Sequence, residues 1–171
     1  MAVNVNAGRR KFLGTSIGAG AATVIAARHG DAEAARATNS IAAYPIIPIA
    51  KIGQLTKSAA KGFSYPDEHS PCMLVKLDSA VDGGVGPEKN IVAYSSMCTH
   101  MGCFVSYDGS TQTFQCPCHF SVFDPGNNGQ MVCGQATESL PRIELSHDPK
   151  TGHIVATGIQ GQLYGRVSNI L

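Results

Sequence analysis

Cys98-Thr99-His100-Met101-Gly102-Cys103 and, with fifteen residues between His100 and Cys116, Cys116-Pro117-Cys118-His119-Phe120-Ser121 decide how the rest of this chain is read. Each hexapeptide carries two cysteines and one histidine. Thiolate and imidazole are donors for soft and borderline metals, so two such arms predict one metal centre assembled from two loops. Tetrahedral zinc competes for the same donors. Structural zinc sites usually place two cysteines in one arm and two histidines in the other, whereas here each arm mixes them. Pairing all four cysteines as disulfides also stays open, and it leaves the repeated Cys/His combination unexplained.

Outward from the two arms the chain alternates short apolar runs with turn signals. Asp82-Gly83-Gly84, Asp108-Gly109, Pro125-Gly126-Asn127-Asn128-Gly129 and Asp148-Pro149-Lys150-Thr151-Gly152 punctuate it. The runs between them predict strands over residues 45–52, 72–78, 91–97, 103–107, 113–116, 130–133, 143–146, 153–157 and 162–165. Nineteen glycines and nine prolines in 171 residues suit many turns and no long helix. Short strands at this spacing predict an all-β fold, a small antiparallel β-sandwich or barrel. One such domain, taken as residues 45–171, has the length for a core but no room for a second catalytic domain. Only 15% of residues are charged and no block of like charge occurs, which weighs against nucleic acid as a partner.

The N-terminal end reads differently. Gly8-Arg9-Arg10-Lys11-Phe12-Leu13 opens an uncharged Gly/Ala-rich run that lasts to Ala27, the pattern of a twin-arginine signal peptide. The run is short for a membrane span and lacks the polar face of an interfacial helix. Residues 1–34 are therefore expected to be the signal peptide and 35–44 a linker, with Ala37 as an alternative cleavage point. The expected location is the periplasm. A retained leader would give weak membrane association.

The spacing Cys-x-His, then Cys-x-x-His, resembles the Rieske pattern, in which two cysteines hold one iron of a 2Fe-2S cluster and two histidines the other. By that resemblance the cluster ligands are Cys98, His100, Cys116 and His119, and residues of about 96–141 form a cluster-binding loop subdomain. Neutral imidazoles leave less negative charge on their iron than thiolates would. Such centres accordingly lie at roughly −150 to +300 mV, against about −400 mV for all-cysteine plant-type clusters. In Rieske proteins of the respiratory type the extra cysteine of each loop, here Cys103 and Cys118, joins the loops as a disulfide; two buried thiols are the other reading. Ser121 matches a serine that bonds a bridging sulfide. Phe123 stands where cytochrome bc proteins have a tyrosine that donates to a ligand sulfur, and Phe120 stands where relatives usually have glycine. Both departures bear on redox tuning and docking. Cys72 and Cys133 are read as small apolar residues packed in strands, and His69, three residues before Cys72, has no second arm of matching spacing.

A finer resemblance joins the two arms to the leader, to Gly84-Val85-Gly86-Pro87 and to Tyr164-Gly165-Arg166. Together these are similar to the small subunits of bacterial arsenite oxidases. That resemblance implies a large partner subunit holding a molybdopterin centre and an iron-sulfur cluster, where arsenite is oxidised. This chain would then pass single electrons to a soluble cytochrome c or cupredoxin. The Rieske subunit of a quinol-oxidising cytochrome bc-type complex is the alternative. An oxygenase would need a mononuclear iron site in a further domain.

Overall fold

A computed structural model describes residues 43–170; the expected signal peptide and most of the expected linker lie outside the described residues. The fold is organised around β4 (Ile91–Ser95), an uncharged run buried along its whole length. A strand with no wet face must be central and covered on both sides. Its alternate side chains divide accordingly: Ile91 and Ala93 enter one hydrophobic cluster, Val92 and Tyr94 the other.

Six antiparallel strands make the larger sheet: β1 (Ile47–Lys51), β10 (His153–Gln160), β9 (Arg142–His147), β4, β3 (Pro71–Lys76) and β2 (Ala60–Ser64), in that spatial order. The first cluster lies on one face and includes Leu74, Ile143, Ile154, Tyr65 and Cys72. Four short strands make the second sheet, in order β5 (Ser106–Asp108), β6 (Thr113–Gln115), β7 (Val122–Asp124) and β8 (Gln130–Cys133). Phe114 and Phe123 face each other across β6 and β7 and are fully buried. With Tyr94, Val105 and Leu140 they build the second cluster, which also takes in Cys98 and Cys116. Burying each such ring contributes roughly 1.5–3 kcal/mol, so the small sheet is tied to the large one by this core.

The all-β expectation holds, and most strands fall within a few residues of their expected places. Two strands escaped the pattern reading. β2 is an edge strand with glycine at its centre, and β7 is only three residues long. The strand expected over residues 162–165 does not form. Gly161 and Gly165 take positive φ (89° and 77°). The Leu163 N–H donates to Asn169 Oδ1 at 2.8 Å and the Arg166 N–H to the Leu163 carbonyl at 3.3 Å. The segment closes on itself as a turn where a strand would have needed a partner. Among the described residues no helix is long and apolar enough to cross a membrane.

Candidate metal centre

Loop 1, Cys98–Cys103, leads from β4 towards β5, and loop 2, Cys116–Ser121, joins β6 to β7. Their backbones repeat one design. The Cys98 N–H donates to the Cys103 carbonyl (2.8 Å) and the Gly102 N–H returns to Cys98 (2.8 Å). In loop 2 the Cys116 N–H donates to Ser121 (2.8 Å) and the Phe120 N–H returns to Cys116 (3.0 Å). Such a turn needs its fifth residue in the left-handed region, and Gly102 (φ 72°) and Phe120 (φ 59°) both take it. Glycine does so without cost, while for a residue with a Cβ the conformation costs roughly 1–2 kcal/mol.

The first cysteine of each turn points inward. Cys98 and Cys116 are buried. Burial, followed by the hydrogen bond and charge of the neighbouring Cys116 thiol, pushes the Cys98 thiol up. His100 is half-buried and His119 exposed, and their rings meet edge to face with centroids 4.7 Å apart. The imidazole is the third residue of loop 1 but the fourth of loop 2. That one-position offset brings two rings together from two like turns.

Cys103 and Cys118 form a disulfide with Cα atoms 6.5 Å apart, so the expected tie between the loops is present. The Cys116 sulfur lies within 4.8 Å of both bridge sulfurs. Only Cys116 of these three has a thiolate to give, because the other two sulfurs are bonded to each other. The free donors are therefore Cys98 and Cys116 with His100 and His119. Of these, His100 Nδ1 is buried with no hydrogen-bond partner among the described residues. An imidazole nitrogen buried without a partner is costly unless a donor or a cation takes it up, and two buried thiols beside it are soft donors suited to a metal. The donor set fits a mixed-ligand iron-sulfur cluster.

A third segment, after β8, closes the site from below. Ser121 is fully buried, and its Oγ accepts from the Gln135 N–H (3.1 Å) and the Ala136 N–H (3.0 Å). The hydroxyl proton remains available to donate. Gly134 approaches so closely that a Cβ there would lie 2.3 Å from the Ser121 Cα. Thr99 Oγ1 donates to the Glu138 carbonyl at 2.8 Å, fastening loop 1 to the same segment. Gly134 and Thr99 were not among the residues expected to matter; a glycine next to an apolar strand was the available signal. Phe123 is fully buried in the cluster that holds both inward cysteines.

The remaining candidates lie elsewhere. Cys72 is buried with its thiol pushed up to about 12, chiefly by burial, as expected of a packing residue. Cys133, by contrast, sits in its strand but is exposed, because β8 is an edge of the small sheet. His69 is exposed beside Glu68.

The model of the Rieske [2Fe-2S] domain family matches residues 46–144. The chain is 38% identical to the iodate reductase subunit IdrB of Denitromonas iodatirespirans, over 94% of this chain and 85% of that one. Likeness to the iodate reductase subunit IdrB of Pseudomonas sp. (strain SCT) is 37%, over 92% and 81%. Among solved structures, the soluble domain of the Rieske protein II (soxF) from Sulfolobus acidocaldarius superposes with a TM-score of 0.65 and 26% identity, covering 76% of this chain and 85% of that one.

Proposed function

This chain belongs to the Rieske 2Fe-2S family, and from that premise we propose that it is the single-electron relay subunit of an exported arsenite oxidase. The observation that carries the relay reading is the convergence of two buried thiols and two adjoining imidazoles at one end of a disulfide-tied loop pair. Cys98 and Cys116 would hold one iron, and His100 and His119 the other. When bound, the cluster supplies one-electron oxidation and reduction at a potential in the upper range for iron-sulfur centres. The chain's own residues do the rest. The core around Phe114, Phe123 and Val105 keeps water from the thiolate side, and the disulfide keeps the two loops in register. Ser121, anchored by two backbone donors, keeps its hydroxyl proton free, and donated to the cluster it would favour the reduced state.

The substrate belongs to the partner. The paired hexapeptides, Gly84-Val85-Gly86-Pro87 and Tyr164-Gly165-Arg166 support an arsenite oxidase, with a large molybdopterin and iron-sulfur subunit as donor. A periplasmic cytochrome c or cupredoxin is the acceptor, and the twin-arginine leader exports the folded, cluster-loaded chain. Phe120 and Phe123, where quinol-oxidising relatives have glycine and tyrosine, favour this over a cytochrome bc complex. A second reading has its own support in the likeness, over nearly the whole chain, to iodate reductase subunits; electrons would then flow inward, to a partner that reduces iodate. The purified native complex separates the two. Arsenite should bring up the Rieske EPR signal of the oxidised complex, and iodate should leave the reduced signal in place. Bleaching by iodate with no response to arsenite would replace the first reading by the second. Normal periplasmic activity after changing Arg9 and Arg10 to Lys would remove the export route.

A further inference from the structure

The C-terminal turn after β10 lies against loop 1. A Cβ built on Gly102 would lie 2.4 Å from Cε1 and 2.6 Å from Cδ1 of Tyr164, so the tyrosine ring rests on the backbone of loop 1. Several anchors hold that ring in place. Leu163, its neighbour, is buried in the first hydrophobic cluster. Arg166 clasps Asp67 with two parallel hydrogen bonds, Nη1 to Oδ2 at 2.6 Å and Nη2 to Oδ1 at 2.7 Å. Asp67 is itself steadied by the His69 N–H (3.0 Å) and the Ser70 hydroxyl (3.2 Å). Asn169 adds bonds to the Gly161 carbonyl (2.8 Å) and the Tyr44 hydroxyl (3.1 Å). A forked guanidinium–carboxylate pair fixes direction as well as distance. The Tyr164 hydroxyl takes part in no hydrogen bond among the described residues, which leaves the ring face as its working part.

We propose that Tyr164 is a positioning residue for the His100 half of the centre, pressed against Gly102 by the Arg166–Asp67 fork. The inference rests on His100 being a cluster ligand. Gly102 closes the hydrogen-bonded turn that carries Cys98 and His100, so a ring fixed on its α-carbon limits how far that turn can open. Loop 2 has the opposite arrangement: Phe120, in the matching slot, is 78% exposed. The molecule thus braces one imidazole from its large sheet and leaves the other on a free surface. An imidazole held in one orientation keeps its overlap with the iron, and hence its electron-transfer coupling, constant from one turnover to the next.

The test uses the full-length complex, reduced and frozen, with Tyr164→Ala, Tyr164→Phe and Arg166→Gln compared with wild type. Pulsed EPR resolves the couplings of the two ligand-histidine nitrogens. Tyr164→Ala should spread the coupling of one nitrogen and widen the g-values, and cluster loss on warming should be about tenfold faster, the equivalent of about 1.4 kcal/mol. Tyr164→Phe should match wild type, and Arg166→Gln should fall between. Wild-type couplings in Tyr164→Ala, even with lower heat stability, overturn the proposal and leave the ring as ordinary packing. If Tyr164→Ala does not accumulate, Arg166→Gln carries the decision by the same reading. Absence of histidine-nitrogen couplings in wild type would refute the ligand assignment instead, a separate failure.

Discussion

Loop 1 and loop 2 share one backbone turn and differ in what stands at its fifth residue. Both are closed by the same pair of hydrogen bonds and both require a left-handed fifth residue. Loop 1 meets that requirement with glycine and uses the open space to accept the Tyr164 ring. Loop 2 meets it with phenylalanine, whose ring stands in solvent. A bulky residue kept in a strained conformation at an exposed tip is what a contact surface retains and a core discards. The difference predicts separate tasks for the two halves of the centre, loop 1 holding and loop 2 presenting.

The largest expected effect removes what the loops share. Alanine at Cys98, His100, Cys116 or His119 should abolish the cluster, whereas Cys133→Ser should retain it, as read by the visible spectrum and EPR of the purified protein. A His119→Ala protein with an unchanged Rieske spectrum would break the pairing of the loops at its root.

Next comes the covalent tie. Cys103→Ser opens a bridge spanning 15 residues, and a loop of that length is worth about 3 kcal/mol in the chain-entropy account of disulfides. Denaturant unfolding should show a loss of that order, with the cluster loops labile first. A midpoint unchanged from wild type would mean the remaining contacts already hold the loops together.

Exchange of the fifth residues is the sharpest version of the comparison. Gly102→Ala adds left-handed strain and a collision with Tyr164, for a loss of about 1–3 kcal/mol. Phe120→Gly relieves strain at the cost of chain entropy, for a net gain of about 0.5–1 kcal/mol. Its partner-dependent electron transfer should nonetheless fall, because the presented ring is gone. Equal and same-signed stability changes for the two variants would contradict the division of tasks.

A smaller shift probes the link between the loops. Phe123, just beyond loop 2, shares a buried cluster with Cys98 of loop 1. A hydroxyl placed there by Phe123→Tyr can donate to the cysteine sulfur and favour the reduced cluster. One hydrogen bond of about 0.5–1.5 kcal/mol raises a one-electron potential by roughly 20–65 mV. Protein-film voltammetry at fixed pH reads this directly, and a lowered potential would mean that the side chain does not reach loop 1.

The smallest effect concerns the brace alone. The hydrogen bond from Arg166 holds the Asp67 carboxyl below the usual carboxylate range. A carboxyl with a depressed folded pKa contributes stability above its unfolded pKa and loses it as pH falls through the folded one. The difference in unfolding midpoint between wild type and Asp67→Asn should therefore be full above about pH 4 and close below it. A gap that persists in acid would show that the pair does not act through charge.

Some of this was legible along the chain. Cys98, His100, Cys116 and His119 announce a metal centre because ligand spacing is a local property, set by residue types a few positions apart. The strands announce themselves as apolar runs between turn signals, as in β4 and β10, and hide where an edge strand such as β2 carries glycine or where β7 is cut to three residues. The sequence by itself determined the all-β class and the two arms that carry the expected donors. Only the tertiary structure decided that Gly134 lies against Ser121, that Cys133 is exposed while Cys72 is buried, and that Tyr164 rests on Gly102. Those contacts join residues up to 62 positions apart, and no periodicity encodes them; they exist only once two sheets have packed and brought distant turns to the same end of the molecule.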